Sequence, residues 1–377
     1  MTAVPPATAP DRPVRVAVAG LGWAGREIWL PRLAGHPAFE VTALVDPQPA
    51  VRERARDTHN VPFAYADVDD LPAGAADLVV VAVPNHLHAA VAARLLRRSM
   101  PVFLEKPVCL TSAEADLLAE AERVGGAVLL AGSAARWRAD VRALVEVAAE
   151  LGPIRHVDVA WVRARGVPDA GGWFTRRDLS GGGALVDLGW HLLDTALPLL
   201  GTAPITHVVG SVSDDFVNDD AAQAAWRGEV GTDGRVRGDV EDTARGFLLT
   251  ADGASVAVHA CWASHEARDR TTITVQGAAG SATLRCTFGF SPNREPTPVL
   301  TRTRDGDTVR LPLPAEPIGA EYDRQLDALP GLLADPASRG AAAAEARRTI
   351  DVIERIYHSA RPTEPERQHA LAGHRDR

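Results

Sequence analysis

The six residues GLGWAG, positions 20–25, constrain this chain more than any other stretch. They follow a short β-branched run, VRVAVA, and open into GREIWLPRLAGHP, whose apolar spacing is helical. A strand that turns on glycines straight into a helix is the first half of a dinucleotide-binding unit. Gly20 permits the tight turn, Gly22 lets a diphosphate approach the backbone, and Gly25 lets the helix pack close to the sheet. The free N–H groups at the helix start offer positive potential to phosphate oxygens. The segments downstream fit the same unit. FEVTALVD (39–46), DLVVVAVP (77–84), PVFLE and AVLLAG read as strands. PAVRERARDTHN, HLHAAVAARLLRRS and SAEADLLAEAERVGG read as the helices between them, the last with Ser112 as N-cap. Alternation with short connections predicts a parallel, doubly wound α/β sheet over residues 14–134.

Asp46 ends the second strand about 20 residues beyond the glycines, where a carboxylate can accept hydrogen bonds from a ribose. It would repel a 2′-phosphate, so the expected cofactor is NAD. NADP is the alternative, because Arg52 and Arg54 lie near enough to soften the repulsion.

A chain of 377 residues exceeds one ordinary core. From IRHVDVAWVRAR onward the pattern changes to strand-like runs: ITHVVGSVS, TARGFLLTA, ASVAVHACWA, RTTITVQGA, SATLRC and DTVRLPL, several of them separated by glycine turns. Two helical segments follow, around 321–333 and 341–358. Residues 135–360 therefore read as an α+β domain on a large, mostly antiparallel open sheet. The acidic stretch 214–242 reads as a solvated loop or insertion. The Pro/Ala-rich start, 1–13, and the polar end, 361–377, read as disordered tails. A net charge of −9 speaks against nucleic-acid binding. No apolar run reaches the roughly 18 residues of a membrane span. Three scattered cysteines fit a reducing cytoplasm.

Two motifs carry chemistry. In FLEKPVCL (103–110), Glu105 and Lys106 end an apolar strand at the carboxyl edge of the sheet, which faces the cofactor crevice. A lysine there could polarise a carbonyl or hold an alkoxide during hydride transfer. Partial burial beside an oxidised nicotinamide would lower its pKa. In GGGALVDLGWHLLD, Asp187 and His191 are four apart and share one helix face. Gly181, Gly182 and Gly183 would let the chain enter that helix close to a ligand. A His beside an Asp suits a proton relay for a secondary alcohol. The same pair could bind a metal, but no third ligand is apparent, so no metal is expected. Asp194 extends the face, to orient His191 or to cap local structure.

With VPNHLHAAVAARLL added, these motifs together resemble the glucose–fructose oxidoreductase / inositol dehydrogenase / MocA family over residues 14–358. The resemblance implies an NAD(P)-dependent oxidoreductase passing a hydride between nicotinamide and a secondary alcohol of a sugar, aminosugar, nucleotide sugar or inositol. It implies Lys106 as the signature catalytic residue, with a cis bond to Pro107, His191 as general acid/base, and Asp187 as substrate ligand. Cofactor contact is expected from Gly20, Gly22, Trp23, Ala24, Gly25, Asp46, Pro84, Glu105 and Lys106. Asn85 is expected near the nicotinamide ribose and His88 facing the cleft, with His86 a solvated neighbour. Arg163 and Trp173 are expected to bind substrate beside Lys106, Asp187 and His191. Arg165, Arg176 and the pair Arg136–Trp137 suit the same wall or a structural role equally. Relatives that retain their cofactor and run redox-neutral reactions, and non-catalytic dinucleotide sensors, are the alternatives. The family commonly associates through its second sheet, which implies a homodimer or homotetramer.

Overall fold

The computed structural model describes residues 12–168, 172–224 and 237–361. The first sheet is built from β1 (Val14–Ala19), β2 (Phe39–Val45), β3 (Phe63–Tyr65), β4 (Leu78–Val81), β5 (Val102–Leu104) and β6 (Leu129–Ala131). Their order is β3-β2-β1-β4-β5-β6, and every neighbouring pair is parallel. The order reverses between β1 and β4. A crevice therefore opens at their carboxyl ends, where the chain places GLGWAG, Pro84-Asn85 and Glu105-Lys106. β3 was not foreseen, because three half-exposed residues make no apolar run. The helix after β5, Ser112–Gly125, is capped by Thr111 and not by Ser112: Thr111 Oγ1 accepts the Glu114 N–H.

The second sheet contains β7 (Ile154–Val162), β8 (Ile205–Ser213), β9 (Thr243–Thr250), β10 (Ser255–Cys261), β11 (Arg270–Gly277), β12 (Gly280–Cys286), β13 (Val299–Arg304) and β14 (Asp307–Leu311). Its order is β14-β13-β12-β11-β7-β10-β9-β8, antiparallel except where β7 meets β10. Alternation along the strands buries one face: Val157, Val159 and Trp161 on β7, Val256, Val258 and Ala260 on β10. Helices 139–148 and 190–196 cover that face.

The two C-terminal helices do not stay with the second sheet alone. Leu326 and Leu329 of helix Ala320–Ala334 join the core under the first sheet, with Val16, Trp29 and Phe103. Gln325 Nε2 donates to the carbonyl of Ala131, at the end of β6 (3.0 Å). Helix Ala341–Ser359 packs on both helix 112–125 and β8. Among the described residues, no helix is long and apolar enough to cross a membrane.

Candidate active site

The glycine loop has the shape its sequence predicts. Gly20 has φ +90°, and a Cβ on it would lie 2.6 Å from the backbone of Ala82 and Val83. A Cβ on Gly25 would lie 2.0 Å from the Gly20 carbonyl. At Gly22 a Cβ would meet nothing within 4 Å, which leaves the open approach a diphosphate needs. Asp46 is buried at the end of β2 and braces this loop: Oδ2 accepts the Leu21 N–H (2.8 Å) and Oδ1 that of Gln48 (2.9 Å). Arg52 donates to the Asp46 carbonyl, so its guanidinium is tied to the backbone.

Lys106 and Asp187 meet across the domain junction. Lys106 Nζ donates to Asp187 Oδ1 at 2.7 Å, both side chains being mostly buried. The Lys106–Pro107 bond is cis. Glu105 supports the lysine from behind: Oε1 accepts the Trp29 Nε1–H (2.7 Å) and Oε2 the Lys106 backbone N–H (2.8 Å). Burial pushes its pKa up, while Lys106 pulls it down. Asp187 Oδ2 accepts the indole N–H of Trp262 (3.0 Å) and lies 4.0 Å from Arg163 Nη1.

Asp187 sits in a π-helical turn, Leu185–Gly189, that runs into the α-helix Trp190–Ala196. Single π turns of this kind recur at functional sites. His191 follows in the α-helical part, its ring 5.7 Å from that of Trp161. Burial, then the charge of Lys106, push the His191 pKa down to about 3, while Asp187 pulls it up, so the imidazole is neutral near pH 7. The carboxylate that the i, i+4 spacing places near histidine also bonds lysine and indole.

These groups open on one cavity. Lys106, Asp187, His191 and Arg163 line it, together with aromatic side chains from both domains. Trp23 of the glycine loop meets Phe290 edge-on (5.7 Å), and Phe290 stacks on Tyr322 (5.7 Å). Arg163 lies over the Trp161 ring (4.9 Å), and Arg138 over Phe288 (4.8 Å), held by both oxygens of Asp140.

Several expected site residues hold structural partners. His88 does not face the cleft. It is 1% exposed, between the carbonyls of Pro107 (2.7 Å) and Val83 (2.8 Å), and clamps the segment after β4 to the lysine turn. Asn85 is buried and donates to the Ser180 carbonyl (3.1 Å), tying the domains together. Trp173 is not among the cavity's described lining; its ring packs on Phe174 (4.0 Å). The cavity's described lining does not include Arg165, which is exposed, Arg176, which pairs with Asp178, or Arg136, which pairs with Asp194 and Glu345. Trp137 offers its carbonyl to Arg324. Asp194 receives Arg136 and does not orient His191.

The glycines before the helix that carries Asp187 are required by packing. A Cβ on Gly182 would lie 2.0 Å from the Tyr357 hydroxyl, and one on Gly183 1.7 Å from the Glu241 carbonyl oxygen. The acidic stretch is also more than a solvated loop. Residues 225–236 lie outside the described residues, but Glu241 and Asp242 are buried. Glu241 Oε1 accepts the Gly183 and Leu185 N–H groups (both 3.0 Å) and the Tyr357 hydroxyl (2.7 Å), anchoring the helix that carries Asp187.

The site residues that sequence reasoning missed are Trp161, Trp262, Arg138, Phe288, Phe290, Tyr322 and Glu241. Trp161 carried a usable signal, the inward alternation of β7. Arg138, Phe288, Phe290 and Tyr322 reach the cavity, and Trp262 and Glu241 reach Asp187 and the start of its helix, from distant segments that no spacing rule connects.

Comparison with known proteins agrees with this fold. Residues 14–133 match the oxidoreductase family with an NAD-binding Rossmann fold, and residues 139–283 match the GFO/IDH/MocA C-terminal domain. The chain is 60% identical over 348 residues to a protein of Amycolatopsis mediterranei (strain S699) named for the oxidoreductase subunit of a UDP-kanosamine synthase; the match covers 92% of this chain and 96% of that one. GenD2 from gentamicin A biosynthesis, crystallised with NAD, is 25% identical with a TM-score of 0.72, over 94% of this chain and 95% of its own. Aldose-aldose oxidoreductase from Caulobacter crescentus, crystallised with glycerol, shares the fold at a TM-score of 0.73 and 23% identity, over 93% of this chain and 98% of its own. The chain belongs to the GFO/IDH/MocA family of NAD(P)-dependent oxidoreductases.

Proposed function

We propose that this protein is a dehydrogenase of the CH–OH group that oxidises the C3 hydroxyl of a UDP-hexose to a ketone, with NAD as acceptor. The observation that carries the reading is the Lys106–Asp187 ion pair beside neutral His191, in a cavity between the glycine loop and the second sheet. The substrate class rests on the 60% identical relative named for UDP-kanosamine synthesis. Kanosamine is glucose with an amine in place of the C3 hydroxyl, and the ordinary route from a carbinol to an amine passes through the ketone.

The glycine loop and Asp46 would hold NAD. The open approach at Gly22 fits the diphosphate, and the Asp46 carboxylate favours a ribose without 2′-phosphate. Nicotinamide, when bound, supplies the hydride acceptor at its C4. The remaining chemistry belongs to the chain. Lys106 donates an N–H to the reacting oxygen and stabilises negative charge growing there. Asp187, bonded to Lys106 Nζ, keeps that group aimed. His191, uncharged, has a ring lone pair for the hydroxyl proton, and the nearby Asp187 charge raises its affinity for it. Carbinol carbon loses a hydride, oxygen loses a proton, and the C=O bond forms. Arg163 supports a substrate-binding role by its place on the wall.

We also propose a homodimer or homotetramer formed through the open face of the second sheet, supported by exposed Val209, Phe247 and Leu249 on β8 and β9. The three cysteines are free, buried thiols, which fits a reducing compartment such as the cytoplasm.

The test is a panel of UDP-hexoses, free hexoses, aminosugars and inositols with NAD and NADP, followed at the nicotinamide absorbance with hydroxylamine present to trap the ketone. Turnover of a UDP-hexose with NAD is expected. Turnover confined to free sugars or inositols would overturn the substrate assignment.

A further inference from the structure

Asp187 has more than one cation within reach. Lys106 Nζ is 2.7 Å from Oδ1, and Arg163 Nη1 is 4.0 Å from Oδ2. His191 lies four residues further along the same helix, and its imidazole is the other titratable group at this carboxylate. A carboxylate rotates about a broad two-fold torsion, so nothing in aspartate itself selects between two such partners. A shift toward Arg163 would lengthen the bond to the lysine.

Trp262 supplies the selection. It follows β10, is fully buried, and its backbone N–H donates to the Asp242 carbonyl (2.8 Å). Its indole N–H donates to Asp187 Oδ2 at 3.0 Å, the oxygen that faces Arg163. An indole is a neutral donor, so it occupies that oxygen without competing for the charge that holds Lys106. Burial alone does not bring an indole to a carboxylate. Trp161, on the inner face of β7, buries its Nε1 without a partner among the described residues.

We propose that Trp262 is a positioning residue for the reaction: its N–H pins Asp187 Oδ2 so that Oδ1 stays on Lys106 instead of the carboxylate shifting to Arg163. The proposal rests on the reading of Lys106 and Asp187 as the site's working pair.

The test has two arms on the full-length protein. In the first, protein labelled with ¹⁵N at the indoles is compared with its Asp187→Asn variant by NMR, without substrate. One downfield, slowly exchanging indole N–H resonance is expected to move upfield when the carboxylate becomes an amide, and Trp262→Phe should remove that same resonance. If no indole resonance responds to Asp187→Asn, the proposal is overturned. In the second arm, Trp262→Phe is assayed with whichever UDP-hexose the wild type oxidises. The expected result is a roughly tenfold fall in kcat with KM for NAD changed less than about twofold, the scale of one charge-assisted hydrogen bond. A variant that is less heat-stable but keeps its kcat would contradict a positioning role. If the wild type oxidises no UDP-hexose, the functional reading has failed, and the resonance arm still decides the role of Trp262. It also decides if Trp262→Phe does not fold.

Discussion

Lys106 and Asp187 are worth more as a pair than either is alone. Each is mostly buried, so removing one strands a charge that water can no longer fully solvate. Lys106→Ala is expected to lower kcat by at least about a hundredfold, the scale of lost acid–base and electrostatic help. NAD affinity, measured by titration calorimetry, should stay within a few-fold, because the cradle at Gly20–Asp46 is untouched. His191 makes a separate prediction about pH. Its pKa falls from an ordinary 6.5 to about 3 on folding, so between these values the unfolded chain binds the extra proton and the native chain does not. Its contribution to stability is therefore complete above about pH 6.5 and is lost as pH falls toward 3. The drop in melting temperature between pH 7 and pH 4 should be smaller in His191→Asn than in wild type. The identities of Lys106, Asp187 and His191 were legible in sequence, because charged groups at a strand end and a helix face stand out against apolar neighbours. Their pairing was not. Spacing assigned Asp187 to His191, whereas Lys106 and Trp262 reach it across 81 and 75 positions of chain.

At the scale of elements, the helix bearing Asp187 and His191 is fixed by what lies at its start. Glu241 collects backbone N–H groups of Gly183 and Leu185 and the hydroxyl of Tyr357. Burial pushes its pKa up, and those donors together with Arg177 offset the shift. Gly183→Ala is expected to destabilise by about 2 kcal/mol or more, since the new methyl meets a backbone oxygen that no rotamer can move. Urea unfolding measures it; an unchanged midpoint would mean that the Glu241 segment moves freely. Strands legible as elements were those whose burial writes a pattern. β1, β2 and β4 are apolar runs in a sheet covered on both faces, and β7, β10 and β11 alternate because only one face is buried. β3 and β13 were missed for the opposite reason. One has three residues, and the other, VLTRTR near the sheet's edge, buries only Leu300.

For the whole molecule, two apolar cores share the first sheet. One continues from that sheet into the inner face of the second, and the other is closed by helix 320–334 returning from the C-terminal part of the chain. The cavity at their junction is lined from both sides, by Trp23, Lys106 and Tyr322 on one and by Asp187 and Trp161 on the other. Such a site is invisible to local pattern, which shows what each segment is but not which segments meet. The opposite face of the second sheet is open, and Phe247 on it is 45% exposed. Phe247→Glu is expected to shift the protein toward monomer in light-scattering chromatography; an unchanged mass would place any association elsewhere. The central claim is that this junction takes a hydride from C3 of a UDP-hexose. UDP-glucose carrying deuterium at C3, incubated with the protein, NAD and hydroxylamine, tests it most directly. Deuterium at C4 of the reduced nicotinamide, found by mass spectrometry and NMR, is the predicted result. Reduced cofactor without deuterium, or none formed from any UDP-hexose, would contradict it.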